Sequence, residues 1–256
     1  MKLAILILLL LAVPVQAQVV FKQQTSNNCS GTVGATTPMP LITVVAGDLL
    51  VLSCNSSWAT SVGTTTIGSV TDNQRNAWIK AINLDKSGVA PYNADPEIWY
   101  ENIANGGSTT VTVTQVGSTG FTLDCNLSEY GGGASANFFV DRTASNFAAA
   151  GIGTPGTVGP TGITVAANEV AITAYGSSSG LENVLSALAG TVGSWTKLTT
   201  GGCGLSGNNV TSTIGSLGTS VTFTGADNFA GVVAVFAKSA ASSASGGGRR
   251  IIGFSH

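Results

Sequence analysis

The stretch Ile42-Thr-Val-Val-Ala-Gly-Asp-Leu-Leu-Val51 decides the fold class, because it reads as two short strands around a turn. Residues 42–45 and 49–54 are apolar or β-branched runs of strand length, and Ala46-Gly47-Asp48 between them supplies turn residues. The pattern returns without a gap at Ile163-Thr-Val-Ala-Ala-Asn-Glu-Val-Ala-Ile172. This internal echo predicts a chain built from two related halves.

The echo also predicts the direction of side chains, because successive strand residues point to opposite faces of a sheet. The residues expected to share a core-facing side are Leu49, Val51, Ser53, Val170, Ile172 and Ala174. The opposite face carries Leu50, Leu52 and Cys54. Asp48 and Glu169 share the position just before the strand, and we interpret both as solvated turn residues.

Further alternating segments complete an all-β prediction. Residues 109–115, 121–128, 221–224 and 232–236 alternate apolar with polar residues or run apolar at strand length, between turns rich in Gly, Asn and Ser. Helix signals are nearly absent; the spacing of apolar residues over 181–188 predicts a short helix or an ordered loop. We therefore expect a mostly antiparallel β-sandwich of jelly-roll or immunoglobulin-like type. We expect a single domain over 18–238, with halves at about 18–150 and 151–238, and two small domains are the alternative.

Both termini have sequence features of their own. Met1-Lys2, an apolar run to Val13 and Ala17 form the three-part pattern of a secretion signal over residues 1–17. That run is shorter than the roughly 20 residues a membrane-spanning helix needs. Residues 239–256 form an Ala/Ser/Gly-rich tail, expected to be flexible, that ends in an apolar stub. We expect a secreted protein, extracellular or at the cell surface, without a transmembrane span.

Composition narrows the classes of function. Charged residues make up 9% of the chain and the formal net charge is −2, so no basic patch for nucleic acid is expected. The only histidine is His256, the last residue, so a catalytic triad that needs a positioned imidazole is not expected. The abundant Ser and Thr are interpreted as strand and turn residues.

The four cysteines are Cys29, Cys54, Cys125 and Cys203. An even number of cysteines behind a secretion signal predicts disulfides, with three possible pairings. Their wide spacing, without Cys-x-x-Cys, argues against a zinc site. Buried free thiols are the alternative.

Several segments resemble a family of secreted bacterial β-sandwich proteins that is mostly uncharacterised. The resemblance rests on Ala46-Gly-Asp-Leu-Leu-Val51, Ser69-Val-Thr-Asp-Asn73, the stretch from Ile98 to Gly107, Ser128-Glu-Tyr-Gly131 and the strand that begins at Phe229. It covers nearly all of the chain after the signal. Gln74-Arg75 departs from the small or flexible residues that are usual in that hairpin. The resemblance implies the sandwich fold and supplies no functional residues.

Carboxylates are the remaining candidates for chemistry. A glycan-active enzyme needs two of them about 5–9.5 Å apart. The acids considered are Asp72, Asp95, Glu97, Glu101, Glu129 and Asp141. None lies in a recognisable signature, so no enzyme is expected. Asp72, Glu129 and Asp141 are oxygen ligands at predicted strand ends, of the type that suits Ca²⁺, and solvated turn acids are the alternative. No other cofactor is expected.

Exposed aromatic residues offer a binding hypothesis, since sugars stack on flat rings. Trp58 lies in a Ser-rich loop and Tyr92 in a Pro-containing loop, whereas Trp78, Trp99 and Trp195 lie in strand-like segments that favour the core. The first expectation is a non-enzymatic protein with an extracellular binding or surface-structural role, whose partners are polysaccharide, cell-surface components or its own copies. A carbohydrate-binding module is the alternative, and a carboxylate-dependent glycan-active enzyme is the second alternative.

Overall fold

The computed structural model describes residues 18–27, 36–57, 64–86, 94–117, 122–132, 137–150, 155–162, 168–177, 185–198, 204–211, 215–223 and 227–239. Every regular element in these ranges is a β-strand, which confirms the predicted all-β class. Over the same ranges, no helix has the length and apolar character needed to cross a membrane. Several predictions lie outside the described residues: those for segment 1–17, the tail beyond Ser239, Cys29, Cys203, Trp58 and Tyr92.

The described residues of the first half form ten strands. They are β1 (Val20–Asn27), β2 (Thr36–Pro38), β3 (Ile42–Val44), β4 (Leu49–Ser57), β5 (Thr65–Asp72), β6 (Ile79–Asn83), β7 (Ala94–Asn102), β8 (Gly107–Thr109), β9 (Val111–Gly117) and β10 (Thr122–Gly131). All pairings among them are antiparallel. They form a five-stranded sheet in the order β1-β10-β4-β7-β6, a three-stranded sheet β2-β9-β5 and the short pair β3-β8.

The second half repeats this arrangement, with eight strands among its described residues. They are β11 (Phe138–Ala150), β12 (Gly156–Val158), β13 (Glu169–Ser177), β14 (Leu185–Gly190), β15 (Thr196–Lys197), β16 (Gly204–Thr211), β17 (Thr219–Phe223) and β18 (Asp227–Lys238). The sheet orders are β11-β18-β13-β16-β15 and β12-β17-β14. With β3 and β8 set aside, the strands of the two halves occupy matching places in matching sheets. In each half the first strand lies beside the last and the second beside the second-last, the arrangement of a jelly roll.

Four layers enclose three apolar cores. The two five-stranded sheets pack face to face around a central core that includes Leu49, Val51, Ile98, Val170, Ile172 and Phe236. An outer core in the first half includes Leu50, Leu52, Val111 and Val113, and one in the second includes Ala171, Tyr175, Val221 and Val233. The predicted division of faces in β4 and β13 is therefore confirmed. The halves share one core, and each half also has its own.

Three expectations change. Strand β11, assigned to the first half from sequence, pairs along its length with β18, so the halves divide before Phe138. Residues 185–188 of the expected helix or loop belong to strand β14, which pairs with β17. Asp48 and Glu169, interpreted as solvated, are 3% and 0% exposed. The position before the strand is covered by the packed layers in both halves, which no local pattern reveals.

One predicted disulfide lies within the described residues. Cys54 on β4 and Cys125 on β10 are directly opposite each other in register and are bonded. The bond joins two neighbouring strands of the first central sheet, on the face that carries Leu50 and Leu52.

Candidate functional site

The residues predicted to bind calcium do not form one group. Asp72 ends β5, Glu129 lies on β10 and Asp141 lies on β11. Within the described ranges, no three acidic, histidine or cysteine side chains come together in a way that can hold a metal ion. Asp72 instead accepts hydrogen bonds from backbone N–H groups of the turn after β5, and Glu129 accepts one from the backbone N–H of Val45, in the loop before β4.

Strand β7 carries a row of acids on its outer face. Asp95, Glu97 and Glu101 are 0% exposed, and all three point toward the outer core of the first half. The register explains their direction, because Glu97 and Glu101 lie opposite Cys54 and Leu50, which face that core. Such burial is rare for carboxyl groups unless they have partners. We call these three residues, with Asp72, the β7 acid row.

Glu97 is the best-bonded member of the β7 acid row. One of its carboxylate oxygens accepts from Thr66 Oγ1 and from the backbone N–H of Ile67, both at 2.6 Å. The other accepts from Trp99 Nε1 at 3.0 Å and forms an ion pair with Lys80 Nζ at 2.8 Å. Both oxygens therefore act as acceptors, and Glu97 ties β5 and β6 to β7.

Asp95 lies beside Glu97 and has a raised pKa. Burial is the main cause that raises the pKa of Asp95 to about 9; the charge of Glu97, a hydrogen bond with it and the charge of Asp85 add to the rise. Two carboxyl groups in contact in an apolar site cannot both ionise readily, so one keeps its proton. We infer that Asp95 is the protonated partner and that its proton lies toward Glu97.

A second pair of the same kind lies near the other end of β7. Asp72 Oδ1 accepts from the backbone N–H groups of Gln74 and Asn76, and its Oδ2 accepts from Asn76 Nδ2 and Trp78 Nε1, all at 2.8–3.2 Å. Burial, followed by the charge of Asp72 and a hydrogen bond with it, raises the pKa of Glu101 to about 9. Asp72 thus serves as the acceptor and Glu101 as the protonated acid.

Asp95 and Glu101, each beside another acid of the row, therefore hold a proton at neutral pH. An acid kept neutral in this way can act as a general acid, but only where a substrate reaches it. Here Asp95, Glu97 and Glu101 are buried beneath the outer sheet, beside Trp78 and Trp99, which pack against the same core, and Asp72 is half-buried. In this arrangement the pairs join layers of the sandwich.

A second polar cluster lies where β1 crosses the turn before β4. Lys22 Nζ contacts Asp48 Oδ2, and Asp48 Oδ1 accepts from the backbone N–H of Gly132 at 3.3 Å. Glu129, 0% exposed, lies next to Asp48 and accepts from Gln23 Nε2 and from the backbone N–H of Val45. We call Lys22, Asp48 and Glu129 the amine–acid cluster.

The surroundings of the amine–acid cluster combine burial with access. Burial is the main cause that raises the pKa of Glu129; the hydrogen bonds from Gln23 and Val45 oppose the rise. An open depression of about 370 Å³ adjoins Lys22 and Asp48, with Val20, Val45 and Gly131 in its wall. The Lys22 ammonium is thus reachable from solvent and Asp48 borders the depression, while the Glu129 carboxyl group is buried away from it.

Sequence reasoning named part of these sites. Asp95, Glu97, Glu101, Asp72 and Glu129 were all carboxylate candidates, and the structure brings the first four into the β7 acid row. Sequence reasoning did not identify Lys22 or the role of Asp48. Lys22 lies at a β-bulge between Phe21 and Gln23, a feature that its local sequence signals only weakly. Sugar binding through Trp58 and Tyr92 stays a prediction.

Comparison with protein-family models, curated proteins and solved structures found no match.

Proposed function

We propose that this chain is a secreted, non-enzymatic structural protein of the cell exterior, and that its copies associate through strand β11. The observation that carries the proposal is the outer edge of β11. This strand is 13 residues long and is the first strand of its sheet, so one side has no neighbouring strand among the described residues. An open edge presents unpaired backbone groups to a second chain.

The second part of β11 is suited to pairing. From Arg142 onward its register with β18 continues without a further irregularity to Ala150. Residues 143–150 contain no charged residue and no proline, the two common means of blocking an edge. Phe139 and Phe147 are 42% and 38% exposed along the same strand. Two copies related by a two-fold axis can place this segment antiparallel to itself without opposing like charges.

Other features support an extracellular structural role. The Cys54–Cys125 disulfide is of a kind that persists in oxidising compartments, and residues 1–17 have the pattern of a secretion signal. The acids with the most perturbed pKa values are used inside the sandwich, where they join layers. The jelly-roll arrangement itself is compatible with many functions and carries no weight here.

The test is the mass of residues 18–256 in solution, measured by size-exclusion chromatography with light scattering over a series of concentrations. We expect dimers or larger assemblies whose share rises with concentration. The double variant Phe139→Lys/Ser145→Lys, at two exposed β11 positions, is expected to be monomeric. Ser108→Lys, which places a lysine at an exposed position on β8, is the control and is expected to assemble like the wild type.

Two results would contradict the proposal. One is a wild-type chain that stays strictly monomeric at the highest concentration reached. The other is assembly that persists unchanged in the β11 double variant, which would place the contact elsewhere on the surface.

A further inference from the structure

The amine–acid cluster contains the groups needed to form an amide bond. Lys22 supplies an amine in contact with Asp48, and Asp48 supplies a carboxyl group whose side chain is 4% exposed. The Gly132 N–H donates to Asp48 Oδ1 and so polarises the carbonyl bond. Glu129 lies beside Asp48, and the Gln23 and Val45 donors fix its carboxyl group.

Amide formation between a free amine and a free acid is unfavourable in water, because both groups are ionised and meet rarely. Holding the reacting groups together removes most of this barrier, with effective concentrations of about 10⁵–10⁸ M for well-oriented groups. Burial adds a second effect, since it disfavours the charged form of a carboxyl group. Glu129 is buried beside Asp48 and its pKa is raised, so a carboxyl group suited to carry a proton lies at the contact.

We propose that Lys22 and Asp48 become joined by an isopeptide bond, with Glu129 as the group that carries protons between them. A proton moves from the Lys22 ammonium through Glu129 to Asp48, which leaves a neutral amine and a neutral acid. Nζ then attacks Cγ of Asp48, and the Nζ–Cγ bond forms. Glu129 transfers a proton from the nitrogen to the leaving Oδ2 hydroxyl, so one water departs. Glu129 ends in its starting form, and no oxidant or reductant takes part.

The open depression beside the cluster gives the departing water a way out. It adjoins the Lys22–Asp48 contact directly, and its wall includes Val20 and Val45, which are themselves exposed. Glu129 is absent from this wall and is 0% exposed, so the proton carrier is shielded from bulk water.

Another lysine–acid contact in the same half gives a useful contrast. Lys80 Nζ lies 2.8 Å from Glu97 Oε2 and 4.8 Å from the centroid of the Trp99 ring. The aromatic face stabilises the ammonium, and three further donors stabilise the Glu97 carboxylate. Because both partners have these additional contacts, we expect this contact to remain an ion pair.

The second half shows that the fold does not impose the cluster. Lys22 lies at a bulge beside β10, and Asp141 lies at the corresponding bulge beside β18. Glu169 corresponds to Asp48. Glu129 lies opposite Leu50, and Val235 lies opposite Ala171, the counterpart of Leu50 in the second half, so Val235 corresponds to Glu129. The equivalent place therefore holds two acids and a valine, without an amine. The reactive combination belongs to the first half alone.

The bond would anchor an edge strand. β1 lies at the edge of its sheet, where it pairs only with β10 among the described strands. A Lys22–Asp48 amide would tie it covalently to the entry of β4, the central strand of that sheet. This inference concerns a covalent modification and does not depend on association through β11.

The test is the intact mass of residues 18–256, expressed behind an initiator methionine, then denatured and reduced. We expect a mass lower than the sequence value by one water molecule. Protease digestion should yield one branched peptide that contains both Lys22 and Asp48, without cleavage after Lys22. Lys22→Arg keeps the positive charge but cannot form the amide, and it is expected to have the full sequence mass. Glu129→Gln keeps the side-chain shape and is expected to lose most of the cross-link.

Lys80→Arg is the matched control, and it is expected to show the same water loss as the wild type. Circular dichroism and protection of the Cys54–Cys125 disulfide identify any variant that fails to fold. The full sequence mass in a folded wild-type chain would overturn the proposal. So would a water loss that maps to other residues or survives in Lys22→Arg. Complete cross-linking in Glu129→Gln would overturn the role given to Glu129.

Discussion

Replacing Glu101 by glutamine tests the proton-holding pairs of the β7 acid row. Glu101 is 0% exposed, and burial beside Asp72 raises its pKa from the ordinary 4.5 to about 9. The folded chain therefore keeps a proton that the unfolded chain has released at neutral pH. Glutamine is close in shape, has no charge, and donates a hydrogen bond to Asp72 at every pH.

The sign and size of the effect follow from proton linkage. Because the folded state binds the extra proton, the free energy of unfolding falls as pH rises between the two pKa values. The slope is about 1.4 kcal/mol per pH unit for each proton held. From about pH 5 to pH 7, Glu101 should thus reduce wild-type stability by roughly 2.7 kcal/mol, a large part of the usual 5–15 kcal/mol. Below the unfolded pKa its contribution to stability is fully present.

The assay is urea denaturation of the wild type and of Glu101→Gln at a series of pH values. The wild type is expected to lose stability steadily with rising pH, and the variant to lose about 1.4 kcal/mol less per pH unit. The variant should therefore be the more stable protein at mildly alkaline pH. Asp95→Asn should reduce the slope in the same way, because Asp95 is the protonated partner in the Asp95–Glu97 pair. Equal slopes in wild type and Glu101→Gln would refute the reasoning.

Two further predictions concern stability. Cys54→Ala/Cys125→Ala should lower the free energy of unfolding by about 4 kcal/mol, since the disulfide spans 71 residues of sequence; reductant should weaken the wild type more than the variant in a denaturant melt. Gly176→Ala should destabilise by about 1–3 kcal/mol, because its Cβ would lie 1.8 Å from Asn55 Oδ1 across the central core. Gly215→Ala, whose Cβ would meet nothing within 4 Å, is the control in thermal melts. Equal melting temperatures for both glycine variants would contradict the packing argument.

The echo between the halves predicted more of the fold than any single strand did. It placed Leu49 and Val170 on one side and Leu50 on the other, and the structure has this division. It succeeded because strand residues alternate faces and a repeated sequence repeats its register. It failed for Asp48 and Glu169, since turn chemistry at that position does not reveal which layer will cover it.

The β7 acid row was predictable only in part. Glu97 and Glu101 are four residues apart, so the alternation of a strand places them on one face, and the structure has them there. Their partners come from other elements, because Asp72 ends β5 and Lys80 lies on β6. A pKa shift depends on burial and on these neighbours together, so the sequence alone could not assign it.

Local pattern by itself determined the β class, the alternation of faces in β4 and β13, and the duplicated plan of the chain. These follow from short-range sterics and from hydrophobic periodicity, which are properties of neighbouring residues. Tertiary structure alone decided that β11 belongs with β18, that the halves share a central core, and that Lys22 meets Asp48 beside Glu129. Those contacts join residues far apart in the chain, and only the packing of whole layers fixes which distant residues become neighbours.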